Sequence, residues 1–386
     1  MAWFEGFERQ TLAVMGLPVC YRQSADWAAQ AQLPVLVLLH GFPQTHVMWH
    51  RVAQNLRGRY RLVMPDLRGY GDSSHAVGDA EHAHYSKRAM AQEVVDLLDA
   101  LGVGDFFLCG HDRGGRVAHR LALDHAPRVK KLCVIDIAPT FDMYSGLWGK
   151  KPEVSGPVAD PYFAFAQAYY HWFHLTQPAP LPEFMIGGNP KAYLHAKLGG
   201  WGSQSMGYIE PEALAEYERA FCNPALNNKG WSAAIHSAAE DYRASAGIDL
   251  QHDFEGRERG DKIACDTLVL WGSRGVVNRM FKPVELWQLD DGEQECPETL
   301  VTARKAKSIE KTQQAKAQAQ TTQARTRVHA KAPVRPRVQA KAPAPRPNAR
   351  TAVASRAVPA DKPVAKAAAP AAASSTAVAS AASNAR

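Results

Sequence analysis

Asp112 is the residue whose surroundings best fit a nucleophile. It lies in Gly110-His111-Asp112-Arg113-Gly114, directly after the apolar run Phe106-Phe107-Leu108-Cys109, which predicts a short buried strand. The amphipathic run at 117–125 predicts a helix on its other side. A nucleophile flanked by small residues two positions away on each side is typical of a nucleophile elbow, because glycines leave room for a strained turn. A carboxylate held there, at the positive end of a helix, can attack carbon and form an ester.

Two arginines follow Asp112 at a spacing that predicts a shared role. Arg113 and Arg116 are three residues apart on the first turn of the predicted helix, so both guanidiniums can face the elbow. Cations fixed beside a nucleophilic carboxylate suit a small substrate that is itself a carboxylate, which each arginine can bind through paired hydrogen bonds. The alternative interpretation is that both arginines only form ion pairs with acidic surface residues.

The elements that must position these residues alternate between strand and helix. The predicted strands include an early strand or hairpin and several continuous apolar runs, which are typical of a parallel sheet buried on both faces. This alternation predicts an open α/β sheet with helices on both faces. From about residue 140 to 248 the pattern changes to aromatic-rich helices, which predicts a cap over the end of the sheet where ligands bind. We therefore divide the chain into a first core segment (1–139), a helical cap (140–250), a returning core segment (251–288) and a tail (289–386).

The tail has the composition of a disordered segment. No aromatic residue follows Trp287, and residues 301–386 contain 17 lysines and arginines against two acidic residues. The remaining residues hold 28 basic and 36 acidic side chains, so the overall charge of +7 comes from the tail and predicts no specific nucleic-acid partner. The six cysteines lack metal-like spacing, and there is neither a signal peptide nor an apolar run of about 18 residues. We therefore expect a cytoplasmic protein with no metal, no cofactor and no membrane partner.

Three motifs resemble one branch of a known superfamily. They are His40-Gly41-Phe42-Pro43-Gln44, the loop Asp66-Leu67-Arg68-Gly69-Tyr70-Gly71-Asp72-Ser73, and Gly110-His111-Asp112-Arg113-Gly114-Gly115-Arg116. Together they resemble the haloacetate (fluoroacetate) dehalogenases of the α/β-hydrolase superfamily, from near the N-terminus to about Trp287. The first two motifs also resemble epoxide hydrolases, whereas Arg113 and Arg116 after the aspartate favour the dehalogenases.

This resemblance implies a function and a set of site residues. It implies hydrolysis of a small haloacid by water, with the substrate carboxylate on Arg113 and Arg116 and a covalent ester on Asp112. Members of the family are often homodimers, so a second copy is an expected partner. The remaining implied roles are a halide pocket at His171, Trp172 and Tyr242, oxyanion-binding backbone N–H groups at Phe42 and Arg113, an entrance residue at Trp201, and Asp136 as the acid that orients a histidine.

The sequence departs from the family pattern at the general base. The family places a histidine in a Gly-His-Phe turn roughly 20 residues beyond Trp287, but this chain has no histidine between His252 and His329. The last strand and helix of the fold are missing from the pattern as well. Alkylation of Asp112 needs no base, whereas hydrolysis of the ester does. We therefore expect at most one halide per protein molecule, and the abrupt change after about Gln288 suggests a shifted reading frame or a recombined end.

Two other functions remain open at this stage. An epoxide or ester hydrolase of the same fold would act on neutral substrates and would not depend on Arg116. A non-catalytic protein could instead bind an anionic partner through its basic tail, and its affinity would then disappear on deletion of residues 300–386.

Overall fold

The computed structural model describes residues 4–145, 161–200, 205–223 and 231–291. These residues all belong to one compact unit, Met1–Gln318. The predicted entrance residue Trp201 lies outside the described residues, as does the predicted tail except for residues 289–291, which belong to the last helix. The predicted boundaries between core and cap stay predictions.

A seven-stranded mixed sheet forms the centre of the described residues, in the order β1-β2-β4-β3-β5-β6-β7. The first two strands form an antiparallel hairpin, and β2 pairs antiparallel with β4. From β4 to β7 in the sheet order, all neighbouring strands are parallel. The strands are β1 (Phe7–Val14), β2 (Leu17–Ser24), β3 (Val35–Leu39), β4 (Arg61–Pro65), β5 (Phe106–His111), β6 (Val129–Ile135) and β7 (Asp266–Leu270).

Helices follow most of the parallel strands. Three of them, α1 (His50–Leu56), α2 (Lys87–Ala100) and α3 (Arg113–Asp124), lie in the first part of the chain. Ser86 caps α2, since its hydroxyl accepts a hydrogen bond from the Ala89 N–H. The apolar face of α2 is buried and the helix packs against α3.

The middle of the chain, between β6 and β7, contains helices and no strand among its described residues. α10 packs against α6, α7, α9 and α11 and is therefore the central helix of this region. The helices are α4 (Thr140–Ser145), α5 (Pro161–Ala168), α6 (Tyr170–Leu175), α7 (Leu181–Gly187), α8 (Pro190–Gly200), α9 (Pro211–Cys222), α10 (Ala233–Ala246) and α11 (Ile248–Arg259). Two short helices, α12 (Val276–Met280) and α13 (Pro283–Asp291), follow β7.

The predicted α/β-hydrolase fold with a helical region between its last two strands is confirmed. One boundary differs from the prediction. The helix after the nucleophile begins at Arg113 rather than near 117, because Gly114 and Gly115 continue the helix despite their low propensity. No strand follows β7 in the described part of the chain, which ends at residue 291, so the predicted absence of the last strand and helix stays a prediction. In the same described residues, no helix is long and apolar enough to cross a membrane.

We expect Trp287 to be essential for the stability of the core. Its side chain is 1% exposed, its indole N–H donates to the Ile137 carbonyl oxygen at 3.0 Å, and its ring packs edge-on against His119. Trp287→Ala should therefore lower the free energy of unfolding by about 3–5 kcal/mol, measured by urea denaturation. Phe163→Ala is the control, because Phe163 is 58% exposed and its loss should change that free energy by less than about 0.5 kcal/mol. Equal effects would contradict this assignment.

Candidate active site

The elbow is built as the glycine pattern predicts. Asp112 lies between the end of β5 and the start of α3 with φ = 50°, a left-handed conformation that is rare for residues other than glycine. A Cβ on Gly110 would lie 2.3 Å from the Gly114 carbonyl oxygen, and a Cβ on Gly114 would lie 2.2 Å from the carbonyl oxygen of His40. Backbone strain of this kind is concentrated at functional sites, so the turn itself supports Asp112 as the reactive residue.

The side chain of Asp112 is held by the loop after β3. The Phe42 N–H donates to Asp112 Oδ1 at 3.0 Å. Gly41 permits this approach, because a Cβ there would lie 2.6 Å from the Asp112 Cβ. The Arg113 N–H is one of the first four N–H groups of α3, which have no acceptor inside the helix. Both N–H groups predicted for the oxyanion hole therefore adjoin the carboxyl group on which an oxyanion would form.

Arg113 is buried and ion-paired, which differs from the expectation that both arginines offer paired hydrogen bonds to a substrate. Its Nε donates to Asp241 Oδ2 at 2.8 Å, and its Nη2 donates to Asp241 Oδ1 at 2.7 Å and to Ser245 Oγ at 2.6 Å. Burial lowers the pKa of Arg113, but Asp241 raises it well above the ordinary value. Only Nη1 has no partner among the described residues. Arg113 can therefore give a ligand one nitrogen rather than two.

Arg116 is equally buried but has no carboxylate partner among the described residues. Its exposed fraction is 2%, and its Nη2 donates only to the sulfur of Met143 at 3.1 Å. Nε and Nη1 are buried without partners in the described part of the chain. Burial and the charge of Arg113 lower the pKa of Arg116. A buried cation without a counter-ion is costly, so this arginine favours an anionic ligand.

An aromatic wall surrounds these guanidiniums and contains the predicted halide-binding residues. The Arg113 guanidinium lies 4.2 Å from the centre of the Tyr242 ring, and the Arg116 guanidinium lies 5.2 Å from the centre of the Trp172 ring. His171 packs edge-on against Tyr242 at 5.7 Å. The structure therefore brings all three predicted residues together around the arginines.

The protonation of this wall suits hydrogen-bond donation. Burial lowers the pKa of His171 well below its ordinary value, so the imidazole is neutral and carries one N–H. Burial and the neighbouring Asp112 raise the pKa of Tyr242 well above its ordinary value, so the phenol keeps its proton. The Tyr242 hydroxyl is buried without a partner in the described part of the chain. Such groups can stabilise a departing anion without adding a charge.

Tyr144 is a site residue that the sequence analysis missed. Its ring stacks on Trp172 at 4.6 Å and the Arg116 guanidinium lies 5.5 Å from its centre. Its hydroxyl is buried, and burial raises the pKa of this phenol, whereas the neighbouring Arg113 and Arg116 lower it. The one sequence signal that could have found Tyr144 is its position soon after Asp136. It lies on α4, the first helix after β6, where the chain enters the helical region.

Asp136 occupies the position next to the nucleophile on the neighbouring strand. β5 and β6 are paired with His111 opposite Ile135, so Asp112 and Asp136 follow at the same edge of the sheet. Asp136 also has a positive φ of 52°, and its Oδ1 accepts the Gly272 N–H at 3.3 Å. Burial, together with the charge of Asp112, raises the pKa of Asp136, whereas His111 lowers it. This placement suits the role predicted for it, which remains a prediction.

The base that Asp136 would orient is absent from the described site. No imidazole among the described residues forms a hydrogen bond or an ion pair with Asp112 or Asp136. The nearest imidazole in sequence, His111, interacts with Asp136 only electrostatically. Within the described residues, the hydrogen bonds to the Asp112 and Asp136 carboxylates therefore come from backbone N–H groups, of Phe42 and Gly272, and not from an imidazole.

One group of described residues has metal-ligand geometry, and it lies outside this site. Cys20, Asp66 and Asp72 have their ligand atoms within 4.8 Å of one another. Arg9 binds both Cys20 and Asp72, and His46 Nδ1 lies 2.8 Å from Asp66. Protein cations and donors already use these ligand atoms, so the group has the chemistry of a structural ion-pair cluster.

Known proteins share both this fold and this site region. A family profile described as the alpha/beta hydrolase fold matches residues 34–307. The chain belongs to the α/β-hydrolase superfamily. A fluoroacetate dehalogenase from Burkholderia sp. is 41% identical over 284 residues, which cover 74% of this chain and 84% of that protein. The predicted membership of the haloacetate dehalogenase branch is thereby confirmed.

Other relatives of this α/β hydrolase differ in their described activity. Epoxide hydrolase 4 of Mus musculus is 28% identical over 269 residues, 67% of this chain and 63% of that protein. A solved structure from Nostoc sp., assigned as an alpha/beta hydrolase, is 42% identical with a TM-score of 0.63 and covers 75% of this chain and 88% of that one. The protein is thus a hydrolase, and the choice of substrate depends on the chemistry of its own site.

We expect the buried ion pairs of this α/β hydrolase to make it sensitive to acid. Burial raises the pKa of Asp241, but Arg113 and Lys87 lower it below its unfolded value of about 3.9. The stabilisation is therefore complete above roughly pH 5 and is lost as the pH falls below that range. Urea denaturation at about pH 7 and about pH 3.5 should show a larger loss of unfolding free energy in the wild type than in Asp241→Asn. An equal loss would contradict the assigned shift.

Proposed function

We propose that this protein dehalogenates haloacetates hydrolytically, converting fluoroacetate or chloroacetate to glycolate and halide. The observation that carries the proposal is the buried Arg116, whose Nε and Nη1 have no partner among the described residues beside the nucleophile elbow. A carboxylate is the ligand that satisfies such donors and supplies the missing counter-charge. The Burkholderia relative, at 41% identity, is a fluoroacetate dehalogenase and supports the same substrate class.

The first step is alkylation of Asp112. Arg116 and the remaining nitrogen of Arg113 bind the substrate carboxylate, which holds the α-carbon opposite the Asp112 carboxylate. One Asp112 oxygen attacks that carbon, a carbon–oxygen bond forms, and the carbon–halogen bond breaks with its electron pair on the halide. The phenol of Tyr242 and the N–H groups of His171 and Trp172 donate hydrogen bonds to the departing halide, which matters most for compact fluoride.

The second step is hydrolysis of the ester. Water attacks the carboxyl carbon of Asp112, and the Phe42 and Arg113 N–H groups bind the oxyanion that develops there. The bond between that carbon and the ester oxygen then breaks, so glycolate leaves with a proton that comes from the water and the Asp112 carboxylate is restored. A general base that takes the proton from water contributes about 10²–10⁴-fold to such a step. Since the sequence has no histidine between His252 and His329, we infer that this step is slowed by about that factor and that the ester accumulates.

We expect incubation with chloroacetate or fluoroacetate to release halide in a burst of about one equivalent per protein, because step two limits turnover. Intact-mass spectrometry should show a carboxymethyl adduct, and peptide mapping should place it on Asp112. Asp112→Asn is the control and should give neither burst nor adduct. Sustained multiple turnover by the wild type would show that another base acts, and a wild type that neither releases halide nor forms an adduct would overturn the proposed function.

Epoxide hydrolysis is a second candidate, favoured by the Mus musculus relative and by the buried phenols of Tyr144 and Tyr242.

Arg116→Met separates the two candidates, because a neutral epoxide has no carboxylate for this arginine to bind. For a dehalogenase, the variant should alkylate with chloroacetate about 10–100-fold more slowly, the value of a charged hydrogen-bonding group. Arg88→Met, which removes an exposed surface arginine, is the control. An adduct with styrene oxide and none with chloroacetate would favour the epoxide hydrolase.

A further inference from the structure

Asp241 is a carboxylate at the centre of α10 that is entirely removed from solvent. Its exposed fraction is 0%, and it lies directly before the halide-pocket residue Tyr242. Lys87 pairs with Oδ1, and the Tyr70 hydroxyl donates to Oδ2 at 2.7 Å. The arginine that follows the nucleophile binds both carboxylate oxygens of Asp241. This side chain therefore joins the elbow, the loop after β4 and the central helix of the cap at one point.

The bonds to Asp241 determine what Arg113 can offer a substrate. Nε and Nη2 of Arg113 are both bound to Asp241, and Nη2 also donates to the Asp241 carbonyl oxygen at 2.7 Å. A planar guanidinium held at two nitrogens cannot rotate, so Nη1 has a fixed direction. The ring of Tyr242, which lies 4.2 Å from the guanidinium, covers one of its faces. The orientation of Arg113 is thus set entirely by two consecutive residues of α10 and by Ser245.

The two arginines consequently have different roles. Lys87 pairs with Asp249 as well as with Asp241, so Arg113 and Lys87 are balanced by two buried carboxylates. Arg116 has no carboxylate partner in the described residues, and it supplies the charge that attracts a substrate anion. The charge of Arg113 is already balanced by its ion pair with Asp241. Arg113 therefore supplies a single N–H of fixed direction, which sets the orientation of the bound substrate carboxylate.

We propose that Asp241 is a positioning residue of the dehalogenation site, which fixes Arg113 so that the substrate carbon faces Asp112. The inference rests on the proposed function, since it concerns the alignment of a haloacetate. Loss of Asp241 should leave substrate binding on Arg116 nearly intact and should reduce the rate at which the bound substrate reacts. Misplacement of a reacting group by about 1 Å can cost about 10²-fold in rate.

The test is single-turnover alkylation by chloroacetate, followed by intact mass over a range of concentrations. Asp241→Asn should lower the maximal rate by about 10–100-fold and change the half-saturation concentration by less than about three-fold. The double variant Lys87→Met/Asp241→Asn should show the same lower maximal rate and the same nearly unchanged half-saturation concentration. This variant removes one charge of each sign and so avoids leaving a buried cation unpaired. Asp253→Asn is the matched control, because Asp253 pairs with another buried arginine of α3, Arg120, outside the site.

A second measurement separates positioning from a merely structural role. In an Arg113→Lys background, Asp241→Asn should lower the maximal rate by less than about two-fold, because the group it orients is already gone. The inference would be overturned if Arg113→Lys and Asp241→Asn lowered the maximal rate independently, so that their effects multiplied. It would also be overturned if Asp241→Asn kept the wild-type rate, or if Asp253→Asn lost as much rate as Asp241→Asn. A wild type that neither releases halide nor forms an adduct on Asp112 overturns the proposed function itself. The other outcomes overturn only the role of Asp241 and do not affect the proposed function.

Discussion

The burial of two guanidiniums beside one carboxylate is the constraint on which the rest of the structure depends. Arg113 and Arg116 are 1% and 2% exposed, and desolvating two cations costs several kcal/mol for each unless partners are provided. The protein provides Asp241 for Arg113 and aromatic faces for both. It leaves two nitrogens of Arg116 and one of Arg113 without partners in the described residues, and these are the donors that the proposed haloacetate would use.

The cap therefore does more than cover the nucleophile. α10 contributes Asp241 and Tyr242, α6 contributes His171 and Trp172, and α4 contributes Tyr144. These side chains lie around Asp112, which precedes α3, and around the two arginines, which belong to the first turn of α3. Because the two sets pack directly against each other through ion pairs and ring contacts, the chemistry of the core depends on the position of the cap.

The sequence predicted the nucleophile elbow well, because its requirements are local. Gly110 and Gly114 must be small wherever Asp112 is placed on so tight a turn, and the strand and helix on each side have clear periodicity. The alternation of strands and helices likewise predicted the parallel sheet. The residues predicted to bind halide came from the family resemblance rather than from spacing, since aromatic residues in a helical region fit ordinary packing equally well.

The pairing of Arg113 with Asp241 could not be predicted, because 128 residues separate them and only the packing of α10 on α3 brings them together. For the same reason the ion pair that occupies two nitrogens of Arg113 was not expected, and Tyr144 was missed. A buried arginine requires a carboxylate, but sequence alone offered many acidic residues. The absent histidine, in contrast, was visible directly in the sequence.

The account depends on a haloacetate lying between Arg116 and Asp112, and a crystal structure of Asp112→Asn with bound chloroacetate tests this most directly. The account predicts that the substrate carboxylate accepts hydrogen bonds from Arg116 and from Nη1 of Arg113, while Arg113 keeps both bonds to Asp241. The chlorine should face Tyr242, His171 and Trp172, with the α-carbon towards position 112. A carboxylate bound elsewhere, or an Arg113 that has left Asp241 to grip the substrate with two nitrogens, would contradict it.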